Sequence, residues 1–155
     1  MPDKVLGVIP ARFQSSRFPG KALALLASKP IIQHVWERSL RAATLSDVII
    51  ATDDIRIYNQ ALRFGARVAM TRPDHLSGTD RVAEVASGHT GASLIVNIQG
   101  DEPLLDPRAI DALVAPLRDN PSVQLTTLSR RLAADEDVDS PHLVKVVCDC
   151  RGRAL

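Results

Sequence analysis

The chain has 155 residues, of which 45% are hydrophobic, 24% charged and 3% aromatic, and its 19 Lys and Arg stand against 18 Asp and Glu. A chain of this length buries about 70% of its unfolded surface, so one domain can hold a core without disulfides or a structural metal. The formal net charge of +1 excludes the overall basic field of a nucleic-acid binder, and no apolar run nears the roughly 18–20 residues that span a membrane.

The start, MPDKVLGVIPAR, has neither the longer apolar region nor the small-residue cleavage site of a leader, which reads as a first strand in a cytoplasmic protein. Val5 to Pro10 is β-branched without polar alternation, as in a strand buried on both faces of a parallel sheet. Residues 11 to 28 have no clean period, and their first ten are expected to form a functional loop. A helix is expected from about Pro30 to Ala43, with Pro30 in its first turn and Ile31, Val35 and Leu40 along one apolar stripe, Trp36 and Leu40 being core. Val48 to Thr52 is a second strand; Asp53 and Asp54 read as an N-cap pair for a helix ending near Phe64, where Gly65 supplies the left-handed stop. Arg67 to Met70 is a short third strand, 71 to 78 a polar loop, and Thr79 to about Ala86 a short helix.

Leu94 to Gln99 is a fourth strand broken by Gly100, and Asp106 caps a helix from Pro107 to about Arg118. Val123 to Leu128 and Leu143 to Cys148 read as two further strands, separated by an acidic stretch that is a short helix or loop. Cys148 and Cys150 point to opposite faces of an extended segment, so they are expected as reduced thiols rather than as a bridge or a zinc site. The alternation of short apolar runs with helical patterns predicts an α/β fold, a doubly wound and mostly parallel sheet, with ligands at the carboxyl ends of its strands. The loops to search are 11–21, 52–54, 71–80 and 99–106.

The first of these, ARFQSSRFPGK, gathers Arg12, Arg17 and Lys21 around Ser15 and Ser16 and a Pro-Gly pair in a chain otherwise balanced in charge. Such cations repel one another unless an anion lies between them, and a triphosphate fits: Arg forks grip phosphate oxygens, Lys acts as a point charge, and Gly20 allows close backbone approach. The glycine spacing matches neither a Walker A loop nor a dinucleotide fingerprint. A solvated basic turn is the other reading. At the end of the fourth strand, NIQGDEP places Asp101 and Glu102 where a carboxylate can hold a divalent ion that bridges phosphates; magnesium is satisfied by one or two carboxylates plus substrate oxygens and water. A charged turn is the alternative. The segment HLSGTDR offers His75, Ser77, Gly78, Thr79 and Arg81 either as a nucleobase and ribose pocket or as a helix cap. His34, His89 and His142 stand alone and receive no role.

Taken together, IPARFQSSRFPGK, ATDDIRI, TRPDHLSGTDR and NIQGDEPLLDP, in this order and spacing, resemble the 3-deoxy-manno-octulosonate (Kdo) cytidylyltransferases, the CMP-Kdo synthetases, along nearly the whole chain. CMP-acylneuraminate synthetases share the IPAR start but lack the HLSGTDR and QGDEP pairing. The resemblance implies a Rossmann-like, glycosyltransferase-A-like nucleotidyltransferase fold. It implies a reaction in which the anomeric hydroxyl of Kdo attacks the α-phosphate of CTP, releasing pyrophosphate and giving CMP-Kdo for lipopolysaccharide assembly. It further implies that Arg12, Arg17 and Lys21 hold the triphosphate, that Lys21, Arg12 and Asp101 are catalytic, and that Asp101 binds Mg2+. Ser15, His75, Ser77, Gly78, Thr79, Arg81 and Gln99 would complete the nucleotide site. CTP and Kdo are the implied partners, with neither nucleic acid nor membrane, and the family's full-length chains are homodimers.

Two local departures stand out. Ala22 takes the place of a usual proline and Ser28 that of a usual glycine, and both lie outside the charged ligands, so small effects are expected. The family's pattern continues for about a hundred residues past the VVCDCRGRAL segment, with most sugar contacts and a second metal-binding aspartate there. The expectation is therefore a partial, C-terminally truncated nucleotide-binding core over residues 1–155, either active or a non-catalytic CTP-binding fragment, with apolar surface left exposed.

Overall fold

The computed structural model describes residues 4–14 and 18–155. Four parallel strands form the main sheet: β1 (Val5–Ala11), β4 (Asp47–Thr52), β5 (Arg67–Met70) and β6 (Leu94–Asn97), in the order β5-β4-β1-β6. Between β1 and β4 lie a single 3-10 turn (Lys21–Leu23), a short antiparallel hairpin of β2 (Leu25–Leu26) and β3 (Lys29–Pro30), and helix α1 (Ile31–Ser39). Helices α2 (Ile55–Arg63), α3 (Gly78–Ser87) and α4 (Pro107–Asp119) follow β4, β5 and β6.

Side chains on a strand alternate between faces, and here each face has its own core. Val5 and Ile9 of β1, with Val48 and Ile50 of β4, pack under Ile32 and Val35 of α1, Ile57 and Ala61 of α2, and Ile110 and Val114 of α4. Leu6 and Val8, with Ile49 and Ala51, face the other way onto Val82 and Val85 of α3. The sheet is doubly wound, as expected. Trp36 and Phe64 close one edge of the larger core with ring centroids 5.3 Å apart.

Several boundaries differ from the sequence reading. Helix α1 starts after Pro30, which is its N-cap and the end of β3, and stops at Ser39, where the chain tightens into turns (Arg41 N to Arg38 O, 3.0 Å). Leu40 therefore falls off the stripe and is exposed. The β2–β3 hairpin went unread because its strands are two residues each; His34 of α1 fastens it by a bond to the Leu26 carbonyl (2.7 Å). The two strands expected at 123–128 and 143–148 are absent. Residues 120–155 form turns and irregular chain, with one isolated bridge between Cys148 and Ala154. A β-branched run becomes a strand only when a neighbour accepts its ladder bonds and covers a face. Here Leu125 and Val144 have neither and lie in solvent. The acidic stretch is a set of turns, tied by Arg130 to Glu136. Cys148 and Cys150 are free thiols. No helix among the described residues is long and apolar enough to cross a membrane.

Candidate active site

The strand order reverses between β1 and β6, and their ladder stops early. Pairing runs no further than Val8 with Asn97, followed by one bond from the Ile98 N–H to the Val8 carbonyl (2.9 Å). Pro10 comes next on β1 and has no N–H to extend the ladder. A Cβ on Gly100 would lie 2.9 Å from the Pro10 carbonyl oxygen, so glycine is what lets the chain after β6 pass over the end of β1. The start of α3 sits on the same proline, since a Cβ on Gly78 would lie 3.3 Å from Pro10 Cγ. Three loops meet around Pro10 and enclose a cleft of about 590 Å3, a size typical of small-molecule sites.

Arg12, Lys21, His75, Ser77, Gly78, Arg81, Gln99 and Asp101 all line this cleft. Arg17, the third expected phosphate ligand, and Ser15, expected in the nucleotide site, lie outside the described residues. Thr79 stands one step back, accepting a long hydrogen bond from Asn97 Nδ2 (3.4 Å), while Gln99 Nε2 donates to Asn97 Oδ1 (3.3 Å).

Lys21 Nζ and Asp101 Oδ2 meet at 2.6 Å across the mouth of the cleft, although 80 residues separate them. Both side chains are about half exposed, at 41% and 53%, so the pair adds little to stability. It brings a cation and a carboxylate from distant parts of the chain together on the cleft. Asp101 also fits the single carboxylate that magnesium needs when phosphate oxygens supply the rest of its shell. Among the described residues no group of three or more His, Cys, Asp or Glu forms a protein-only metal cage.

The HLSGTDR segment is both cap and wall. Ser77 Oγ accepts from the Asp80 N–H (3.1 Å), and Asp80 Oδ2 accepts from the Ser77 N–H (3.0 Å), a reciprocal capping box that starts α3. His75 is held by Glu84, whose carboxylate also accepts from the Arg72 N–H (3.1 Å). The His75 bond, more than the amide, holds the Glu84 carboxyl below its ordinary range. Arg81 is 4% exposed; its guanidinium donates to Asp53 Oδ2 (2.7 Å), to Thr71 Oγ1 and, weakly, to the Arg72 carbonyl (3.4 Å). It shapes the cleft floor from within. The expected cap pair divides accordingly: Asp54 alone caps α2, accepting from the Arg56 N–H (2.9 Å), and Asp53 is the counter-ion of Arg81.

The sequence reading missed Pro10, Ala11, Phe18, Ala22 and Gly100 as cleft walls. The signal for Gly100 was present, a glycine at a strand end, but its reason lies in Pro10 on another strand. Ala22 is buried at the cleft edge, where it fills the place of the usual proline. Ser28 has φ +67° and Ala27 φ +47°, the left-handed pair of a two-residue hairpin loop. That accounts for the glycine that the resemblance places at position 28.

Residues 6–155 match the family model described as Cytidylyltransferase. The chain belongs to the cytidylyltransferase family. This cytidylyltransferase chain is 59% identical over 155 residues to the 3-deoxy-manno-octulosonate cytidylyltransferase of Solibacter usitatus, covering all of itself and 61% of that protein. It is 55% identical over 151 residues to the enzyme of the same name from Geobacter sulfurreducens, covering 97% of itself and 60% of that protein. The chain thus spans about three-fifths of the length of these relatives. A solved CMP:2-keto-3-deoxy-manno-octonic acid synthetase complexed with CTP superposes with a TM-score of 0.75 and 46% identity, covering 78% of this chain and 50% of that one. A 4-diphosphocytidyl-2C-methyl-D-erythritol synthase, at 17% identity and a TM-score of 0.61 over 77% of this chain and 56% of that one, shares the fold.

Proposed function

We propose that this chain supplies the nucleotide site of a CTP-dependent Kdo cytidylyltransferase serving lipopolysaccharide assembly. The observation that carries the reading is the Lys21–Asp101 pair at the mouth of the switch-point cleft, 2.6 Å apart and open to solvent. Its support is the family match and the CTP-bound relative with the same fold. CTP lies with its triphosphate against Arg12, Arg17 and Lys21, and its nucleoside against Gln99, Ser77, Gly78 and Thr79, on the wall formed by His75 and Arg81, with Ser15 completing the nucleotide site. Asp101 would hold Mg2+, which would supply positive charge to neutralise the triphosphate. The anomeric hydroxyl of Kdo gives up its proton to solvent as its oxygen bonds to the α-phosphorus and the bond from that phosphorus to the α,β-bridging oxygen breaks, and pyrophosphate leaves. With CTP bound, Lys21 turns from Asp101 toward the phosphate oxygens before the bond breaks, so that it meets the charge that develops in the transition state. Homodimerisation and a cytoplasmic setting complete the reading.

The test is calorimetry with CTP and Mg2+, followed by pyrophosphate release with CTP and Kdo. CTP is expected to bind more tightly than ATP or GTP, and Lys21→Ala to weaken CTP by on the order of tenfold and turnover by on the order of 100-fold. Equal affinity for all three nucleotides overturns the CTP reading. Binding of CTP without turnover reduces the chain to a nucleotide-binding part.

A further inference from the structure

Lys21 opens the 3-10 turn directly after its N-cap Gly20, so whatever fixes Gly20 also places Lys21. The Gly20 N–H donates to the Phe13 carbonyl (2.7 Å). The Phe13 ring fills the space that a side chain at residue 20 would need: a Cβ there would lie 3.0 Å from ring atoms Cε2 and Cζ, and Gly20 has φ +72°. The Arg56 guanidinium lies over the same ring, 3.3 Å from its centroid. Arg56 is itself fixed in two directions by Asp54, with Nε to Oδ1 at 2.9 Å and Nη2 to Oδ2 at 2.6 Å. Asp54 is the N-cap of α2, a rigid element on the core. A continuous set of contacts thus runs from α2 through Asp54, Arg56 and Phe13 to Gly20, the residue before Lys21.

The geometry points to Arg56 and Phe13 as positioning residues that hold Gly20, and with it Lys21, ready for the triphosphate, an inference that rests on the CTP reading above. Neither lines the cleft. They act through Gly20 on the placing of Lys21. The face of an aromatic ring attracts a guanidinium, and removing an exposed contact of this kind shifts a local equilibrium by about two- to fivefold. A site whose binding arrangement is only partly populated binds its ligand more weakly in proportion to that fraction.

The experiment uses the full chain, with Arg56→Ala and Phe13→Leu. Arg56 is 57% exposed, and Phe13→Leu keeps most of the apolar volume, so at least one variant folds. Hydrogen exchange of the ligand-free protein is measured first. Exchange at the Gly20 amide is expected to speed up about two- to fivefold in both variants while amides of β4 stay unchanged. CTP affinity, measured with Mg2+, is then expected to fall by a similar factor, with CMP affinity moving less than about twofold because CMP lacks the outer phosphates. Unchanged Gly20 exchange in both variants overturns the proposal, as does faster exchange with unaltered CTP affinity. If the wild-type chain binds no CTP, the functional reading fails separately, and the exchange result still decides whether Arg56 and Phe13 hold Gly20.

Discussion

Residues 4–119 and 120–155 have similar stretches of β-branched and aliphatic residues and opposite fates. Every residue buried in the core lies at or before Val114, and none from 115 onward is buried. Val48, Ile49 and Ile50 form a central strand, whereas Leu143, Val144, Val146 and Val147 stay outside any sheet. What separates them is a partner: β4 lies between β1 and β5 with helices on both faces, and the later run has neither. Burial belongs to the neighbourhood and not to the residue type.

The sharpest way to break that comparison is to truncate one side chain in each region. Ile57→Ala in the core is expected to cost about 2–5 kcal/mol, and Val144→Ala in the exposed run no more than about 0.5 kcal/mol, by chemical denaturation. Equal losses would mean that the C-terminal region is packed in solution. Within the folded region, Ala27 and Ser28 are the described non-glycine residues with positive φ. Ser28→Gly is expected to raise stability by about 0.5–1 kcal/mol, the left-handed penalty less the entropy of glycine; a fall in melting temperature would refute it.

The smallest effect concerns acid. Glu136 is held down to about 2 from an ordinary 4.5, first by its bonds from Arg130 and then by the Ala133 N–H at 2.7 Å. A carboxyl depressed in the folded state stabilises above its unfolded pKa, and that contribution is lost as pH falls from about 4.5 toward 2. Exchange at the Ala133 amide should therefore quicken in this window before exchange at Ile50. The reverse order would place the Arg130 turn among the more robust parts of the chain.

Much of this was legible along the chain. Strand β1 showed in its unbroken apolar run, α2 in its Asp54 cap and Gly65 stop, and α4 in Asp106 followed by Pro107. The cation loop and QGDEP pointed to facing sides of one site. Other features were not, and for a shared reason. Arg81 reads as a ligand until Asp53 and Thr71 are found around its guanidinium, and Arg56 has no visible role until Phe13 lies beneath it. The caps, stops and apolar periods depend on residues within a turn or two, so the sequence by itself determined the parallel α/β order and which loops meet at the carboxyl ends. Contacts spanning tens of residues depend on which strands pair. Only the tertiary structure therefore decided that Lys21 meets Asp101, that Gly100 crosses Pro10, and that the last 36 residues (120–155) remain outside the sheet.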